Sequence, residues 1–235
     1  MTHPQVYDRL WHWLFATEGP VPHMYLDNVG LVTVGVGFMI EPIANFKSEY
    51  GSAFRKRDGT PASWPEVEKE FVSIKEKQEL KGSWRNFTPI AQLFLPSTVF
   101  KPKVVSILKG KERALRSGWQ ATYYGDFDSF PPDAQMGILS TSYGGMYNSK
   151  PVHHAFHTAC RDQRWNDAAA SGYWGGWMAE KIKGHQLMFR NAQVAKDTSD
   201  TNPTPAFPGT LTADIYEIDD TIRPFGQDTW TAADK

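Results

Sequence analysis

At 235 residues, with 40% apolar and 14% aromatic content, the chain is long enough to bury a core and falls within the size of one large domain or two small lobes. Twenty-five Lys and Arg against 26 Asp and Glu leave a formal net charge of -1, which supplies no overall drive toward nucleic acid or an anionic membrane. The lone cysteine, Cys160, excludes an internal disulfide, no stretch approaches the roughly 20 apolar residues of a bilayer span, and no basic-then-apolar signal pattern opens the chain, so the expectation is cytoplasmic synthesis without membrane insertion.

Pro4 sits near the start of a segment in which Val6, Leu10, Trp13 and Leu14 recur at helical spacing, and Gly19 follows as a C-terminal stop, which places Glu18 at a helix end. From Val21 to Gly37 the texture changes. Asp27-Asn28-Val29-Gly30 is turn chemistry and 31–37 carries β-branched residues at every second position, so this stretch reads as a β-hairpin. Alternation along a strand puts Val32, Val34 and Val36 on one apolar face and Thr33, Gly35 and Gly37 on a nearly bare one.

A charged turn at 55–59 leads to Ser63, with Glu66 three residues on, a capping-box pattern before Val67, Phe71, Ile74 and Gln78 that predicts a helix. Residues 82–132 are rich in Pro, Phe and Gly with only short periodic pieces such as Val104 to Leu108, and are expected to connect two lobes and to supply some groove wall. Helical periodicity returns from Asp133 through Met146, again from Pro151 through Ala159, and again from about Trp177 to Val194. After Lys196 the composition turns to Asp, Thr, Pro and Ser, so 197–235 reads as an extended polar tail with one short strand at Leu211 to Ile218. The expected fold class is α+β: a small N-terminal lobe with the hairpin at about 18–60 and a larger, all-helical lobe at about 66–196, together one catalytic domain over 1–196.

Hydrolysis of a glycosidic bond needs an acid for the departing oxygen and a carboxylate that activates water or faces the oxocarbenium-like centre. Glu18 at a helix end and Asp27 at the adjoining turn meet that demand if the hairpin folds back on the helix end. Thr33 on the bare face would hold a water near Asp27, and Gly35 and Gly37 would leave room for a sugar ring. Two carboxylates nine residues apart read better, on their own, as a solvated helix-end Glu and a turn Asp. Their order carries more. Glu18-Gly19, eight residues between Glu18 and Asp27, five between Asp27 and Thr33, then Val34-Gly35-Val36-Gly37, resembles the active-site segment of the phage-type lysozyme family of glycoside hydrolases. Pro132 to Ser140 with Tyr143 and Gly145 looks like that family's long central helix, and Arg164-Trp165-Asn166-Asp167-Ala168-Ala169 like its later helix start. The chain departs from the pattern at Phe38, where the family often carries His, and in a longer, more aromatic region between the lobes.

The resemblance implies a lysozyme-like fold and a muramidase, cleaving the β-1,4 bond between N-acetylmuramic acid and N-acetylglucosamine in peptidoglycan. It makes Glu18 the general acid and gives Asp27 with Thr33 the task of orienting water or stabilising the cation. Tyr25, Gly35, Gly37 and Met39 would border the substrate, with no cofactor and no metal. The partner would be a peptidoglycan glycan strand, met by a monomer in the periplasm or wall after release through a phage-made hole or delivery by a secretion machine. In the second case an immunity protein would plug the cleft. The competing reading is a lysozyme-like module that binds peptidoglycan without cutting it.

His153, His154, His157 and Cys160 form the one cluster with metal-like spacing, since 153, 157 and 160 fall on one helix face. No fourth ligand is visible, and a partly buried helix face is the expectation. Cys160 with His157 lacks the flanking signature of a thiol nucleophile, and Gly35-Val36-Gly37 lacks the third glycine and following helix of a phosphate loop.

Overall fold

The computed structural model describes residues 2–145, 153–172 and 179–198. They form an α+β fold divided into two compact units, one made of Glu18–Lys103 and the other of the described residues before Glu18 together with those from Val104 to Thr198. Among the described residues there are nine α-helices and five strands. No described helix is long and apolar enough to cross a membrane.

The first unit holds the sheet. Strands β1 (Val21–Leu26), β2 (Val32–Gly35), β3 (Phe38–Met39), β4 (Arg55–Lys56) and β5 (Leu93–Phe94) pair antiparallel in the order β3-β2-β1-β5-β4. The expected hairpin is β1–β2, with Tyr25 opposite Thr33 and Leu26 opposite Val32. The expected single strand over 31–37 is instead two: β2 stops at Gly35, Val36-Gly37 makes a turn, and β3 returns beside β2 with Met39 opposite Thr33. Val36 and Gly37 therefore do not continue the two-sided alternation. Helix α2 (Ile43–Tyr50), which the sequence reading left unassigned, carries only Phe46 as a buried apolar anchor, too short a stripe to announce itself by periodicity.

Helix α3 (Trp64–Lys75) begins where Ser63 and Glu66 place it: the Glu66 carboxylate accepts the Ser63 N–H at 2.7 Å and pairs with Lys56 Nζ at 2.7 Å. This helix was expected in the helical lobe beyond residue 66. It belongs with the sheet, because Val67 and Ile74 bury against the sheet's own elements and Glu70 accepts the Leu93 N–H at 3.1 Å, tying α3 to β5. The boundary accordingly falls at Lys103 rather than near residue 60, inside α4 (Phe100–Leu115), a 16-residue helix hidden in the stretch read as a connection.

The second unit contains α1 (Val6–Glu18, up to Thr17), the later part of α4, α5 (Ala121–Tyr124), α6 (Pro132–Tyr143), α7 (His154–Arg161), α8 (Trp165–Ser171) and α9 (Ala179–Asp197). In α1 the four periodic residues Val6, Leu10, Trp13 and Leu14 are the buried ones. In α6 every residue from Pro132 to Ser142 is buried, so this helix is covered on all sides and shows no amphipathic stripe. It packs on α9, where Gly137 lets the Phe189 ring approach, and Phe189 stacks on Trp165 of α8 at 6.3 Å between centroids. Met146, Pro151 and Trp177, used to bound the expected helices, lie outside the described residues, as does the tail apart from Asp197 and Thr198.

Three helices of this unit meet at a buried polar knot. His185 Nδ1 lies 2.6 Å from the Lys181 carbonyl, and its Nε2 lies 2.8 Å from Ser140 Oγ, which accepts the Trp13 indole N–H at 3.3 Å. A neutral imidazole protonated on Nδ1 satisfies every partner: it donates to the carbonyl and accepts the Ser140 hydroxyl proton. Burial, against the hydrogen bond to Lys181 and together with the Lys181 charge, lowers the His185 pKa from 6.5 to about 3. The folded state thus holds a neutral ring that the unfolded chain protonates near 6.5, so its contribution is complete above that pH and is lost as pH falls toward about 3. A urea titration series from pH 7 to pH 4 should show the midpoint falling, and His185→Gln should reduce that fall. An equal pH dependence in the two proteins would count against the assignment.

Candidate active site

Glu18 is the last residue of α1, and Gly19-Pro20 carries the chain into β1 at Val21. The turn from β1 to β2 is built by Asp27. Its Oδ1 accepts the Val29 N–H at 2.9 Å and the Leu31 N–H at 2.8 Å, while its own N–H donates to the Leu31 carbonyl at 3.0 Å and its carbonyl accepts the Gly30 N–H at 3.1 Å. One carboxylate oxygen therefore closes the hairpin, the usual work of an Asp at a turn. The other takes neither of these N–H groups.

Tyr25 and Thr33 are direct cross-strand partners, so their side chains share one face of the hairpin, with Met39 next to Thr33 on β3. The Tyr25 phenol reports what surrounds it. Its pKa is raised from 10.0 to about 12, first by burial and then by the charges of Asp27 and Glu18. The phenol stays protonated and able to donate at ordinary pH. Tyr25, Asp27 and Thr33 stand at the turn end of the hairpin, while Glu18 precedes β1 on the side of the Val21–Gly35 pair.

Two details differ from the expected open strand face. Thr33 is only 4% exposed, and its hydroxyl donates weakly to the Leu31 carbonyl at 3.4 Å, so it is a buried group rather than one standing on a bare surface. The room expected beside Gly35 is occupied by the chain's own Phe38, whose ring packs where a side chain at Gly35 would stand. At Gly37 nothing lies within 4 Å, and Met39 is 56% exposed, so these two border accessible space while Gly35 does not. Phe38 is held in turn against Phe100, at 6.0 Å between centroids.

A cavity of about 490 Å³ lies elsewhere in this unit, between α3 and the β4–β5 pair, lined by Arg57, Lys69, Glu70, Ile74 and Leu93 among others. None of Glu18, Asp27 and Thr33 lines it. Its charged groups serve the fold: Arg57 donates to the Thr88 and Ala91 carbonyls, and Glu70, raised by burial against its hydrogen bonds from Leu93 and Gln92, holds the β5 main chain.

Of the histidine cluster, His153, His157 and Cys160 form a buried helix face and His154 is exposed. His157 Nδ1 lies 2.6 Å from the Tyr124 hydroxyl, its ring sits edge-on to Trp119 at 5.3 Å, and burial, then the charges of His153 and His154, lowers its pKa to about 4. Cys160 is fully buried and its thiol is pushed up by burial, the opposite of an activated nucleophile. Among the described residues no group of three His, Cys, Asp or Glu side chains is arranged to hold a metal ion.

Sequence reasoning passed over Glu41 and Lys75, which grip the hairpin's backbone. They stand 34 residues apart, and no spacing rule joins a Glu before Pro42 to a Lys in the last turn of α3. No family model, curated protein or solved structure matches the chain.

Gly35 and Gly37 both have positive φ, +65° and +73°. Gly37→Ala should cost about 1–2 kcal/mol from the backbone alone, whereas Gly35→Ala should cost about 1–3 kcal/mol more because the Phe38 ring must move. Equal denaturation midpoints for the two variants would show that Phe38 does not fill that space.

Proposed function

We propose that the chain is a glycoside hydrolase acting on the β-1,4 bond between N-acetylmuramic acid and N-acetylglucosamine of peptidoglycan. The observation that carries this reading is the Tyr25–Thr33 cross-strand pair beside the turn that Asp27 builds, with Glu18 at the helix end leading into β1, in the chain order that resembles phage-type lysozymes. In this reading Glu18 protonates the departing glycosidic oxygen. Asp27 keeps Oδ1 on the turn and offers its other oxygen to a water or to the developing positive charge at the anomeric carbon. Thr33 and the Tyr25 hydroxyl fix that water's position, and Met39 with Gly37 borders the sugar. No cofactor enters the reaction. The enzyme would work as a monomer on glycan strands in the periplasm or wall, after release through a phage-made hole or delivery by a secretion machine with an immunity protein as antagonist.

Glu18→Gln keeps size and hydrogen-bonding capacity but removes the transferable proton. The variant should lose at least about 100-fold in the rate of clearing of purified peptidoglycan, with a thermal midpoint close to that of the parent. Mass spectrometry of the fragments released by the parent should give reducing ends at N-acetylmuramic acid. Clearing by the Gln variant at the parental rate, or fragments with any other reducing end, would overturn the muramidase assignment. Binding to peptidoglycan with no released fragment would favour the non-cutting module.

A further inference from the structure

The turn that presents Asp27 is gripped from outside the hairpin. Lys75 Nζ donates to the Gly30 carbonyl at 2.8 Å and to the two Glu41 oxygens at 2.8 and 3.1 Å. Glu41 Oε1 in turn accepts the Val32 N–H at 2.7 Å. Gln78 Nε2, anchored on the Lys75 carbonyl at 2.8 Å, adds a longer bond to the Gly30 carbonyl at 3.4 Å. Strand β3 is only two residues long, and its ladder against β2 continues with Ile40 N–H on the Val32 carbonyl at 3.0 Å. At the next position the Glu41 side chain takes the Val32 N–H in place of a strand carbonyl. One ion pair therefore holds the peptide groups on both sides of Leu31, the residue whose N–H is bound by Asp27 Oδ1.

That placement separates the pair from an ordinary surface salt bridge. Glu41 and Lys75 side chains are 22% and 37% exposed, and a pair in that setting adds little stability through its own attraction. Displacing a catalytic carboxylate by about 1 Å, in contrast, costs on the order of 100-fold in rate. The effect on turnover should thus exceed the effect on stability by far.

We propose that Glu41 and Lys75 are positioning residues for Asp27 and Thr33: their ion pair fixes the backbone from Gly30 to Val32 and thereby aims the Asp27 carboxylate and the Thr33 hydroxyl. The proposal rests on the hydrolase reading, and neither residue touches the sugar.

The test uses the full chain with Lys75→Met and Lys75→Arg. Amide hydrogen exchange at Val29 and Leu31, both donors to Asp27 Oδ1, reports the turn without any reference to activity. Initial rates on soluble glycan chains separate kcat from KM. Lys75→Met should speed exchange at both amides by at least about tenfold and lower kcat by at least about tenfold with KM within about twofold. Lys75→Arg, which keeps a donor at the Gly30 carbonyl, should recover most of both. Unchanged exchange at Val29 and Leu31 would overturn the proposal, as would parental kcat in a Lys75→Met protein whose exchange is faster. A parent chain that releases no fragments would overturn the hydrolase reading, and the positioning role with it, even where the exchange result holds.

Discussion

The pairing of β1 with β2 in the register that sets Tyr25 against Thr33 is the constraint on which the site depends. Side chains alternate along a strand, so a slip of one residue would send Tyr25 and Thr33 to the side where Leu26 and Val32 are now buried. Asp27 prevents the slip, because the two N–H groups on its Oδ1 and the paired bonds with Leu31 define a single turn. The carboxylate that would take part in chemistry is thus also the residue that builds the hairpin. Its Oδ1 carries the hydrogen bonds of the turn, and the proposed chemistry falls to the other oxygen.

The surroundings of the hairpin reinforce that register without adding reactive groups. Phe38 folds back over Gly35, and Glu41 with Lys75 takes up the peptide groups that a two-residue β3 leaves unmatched. For Glu41 burial works to raise the carboxyl, and the hydrogen bonds from Lys75 and the Val32 N–H with the Lys75 charge outweigh it, so the group stays ionised. In the second unit, the His185–Ser140–Trp13 knot does comparable work with neutral groups, since a fully enclosed polar cluster costs little when every member finds a partner.

Much of the local structure was legible. The stripe of Val6, Leu10, Trp13 and Leu14 gave α1 its length, Gly19 its end, and the Ser63–Glu66 pattern the start of α3. The α+β class and the hairpin followed from the change of period between Trp13 and Val32. The weak points were also physical. Helix α2 is eight residues long with one buried apolar anchor, and β4 and β5 are two residues each, below the length at which a period can be read. The long α4 was masked by its Lys-rich sequence, Phe100 to Leu115, in which charged residues interrupt the apolar stripe.

The sequence by itself determined which groups stand at the candidate site, because Glu18, Asp27 and Thr33 are placed by features close in the chain: a helix stop, a turn-forming Asp and a short strand. Tertiary structure alone decided what surrounds them. The Phe38 ring over Gly35, the burial of Thr33, the attachment of α3 to the sheet and the Glu41–Lys75 grip on the turn all join residues whose meeting depends on packing and on unmatched backbone groups. Local spacing encodes neither, since long-range partners are selected only when the whole unit closes around its core.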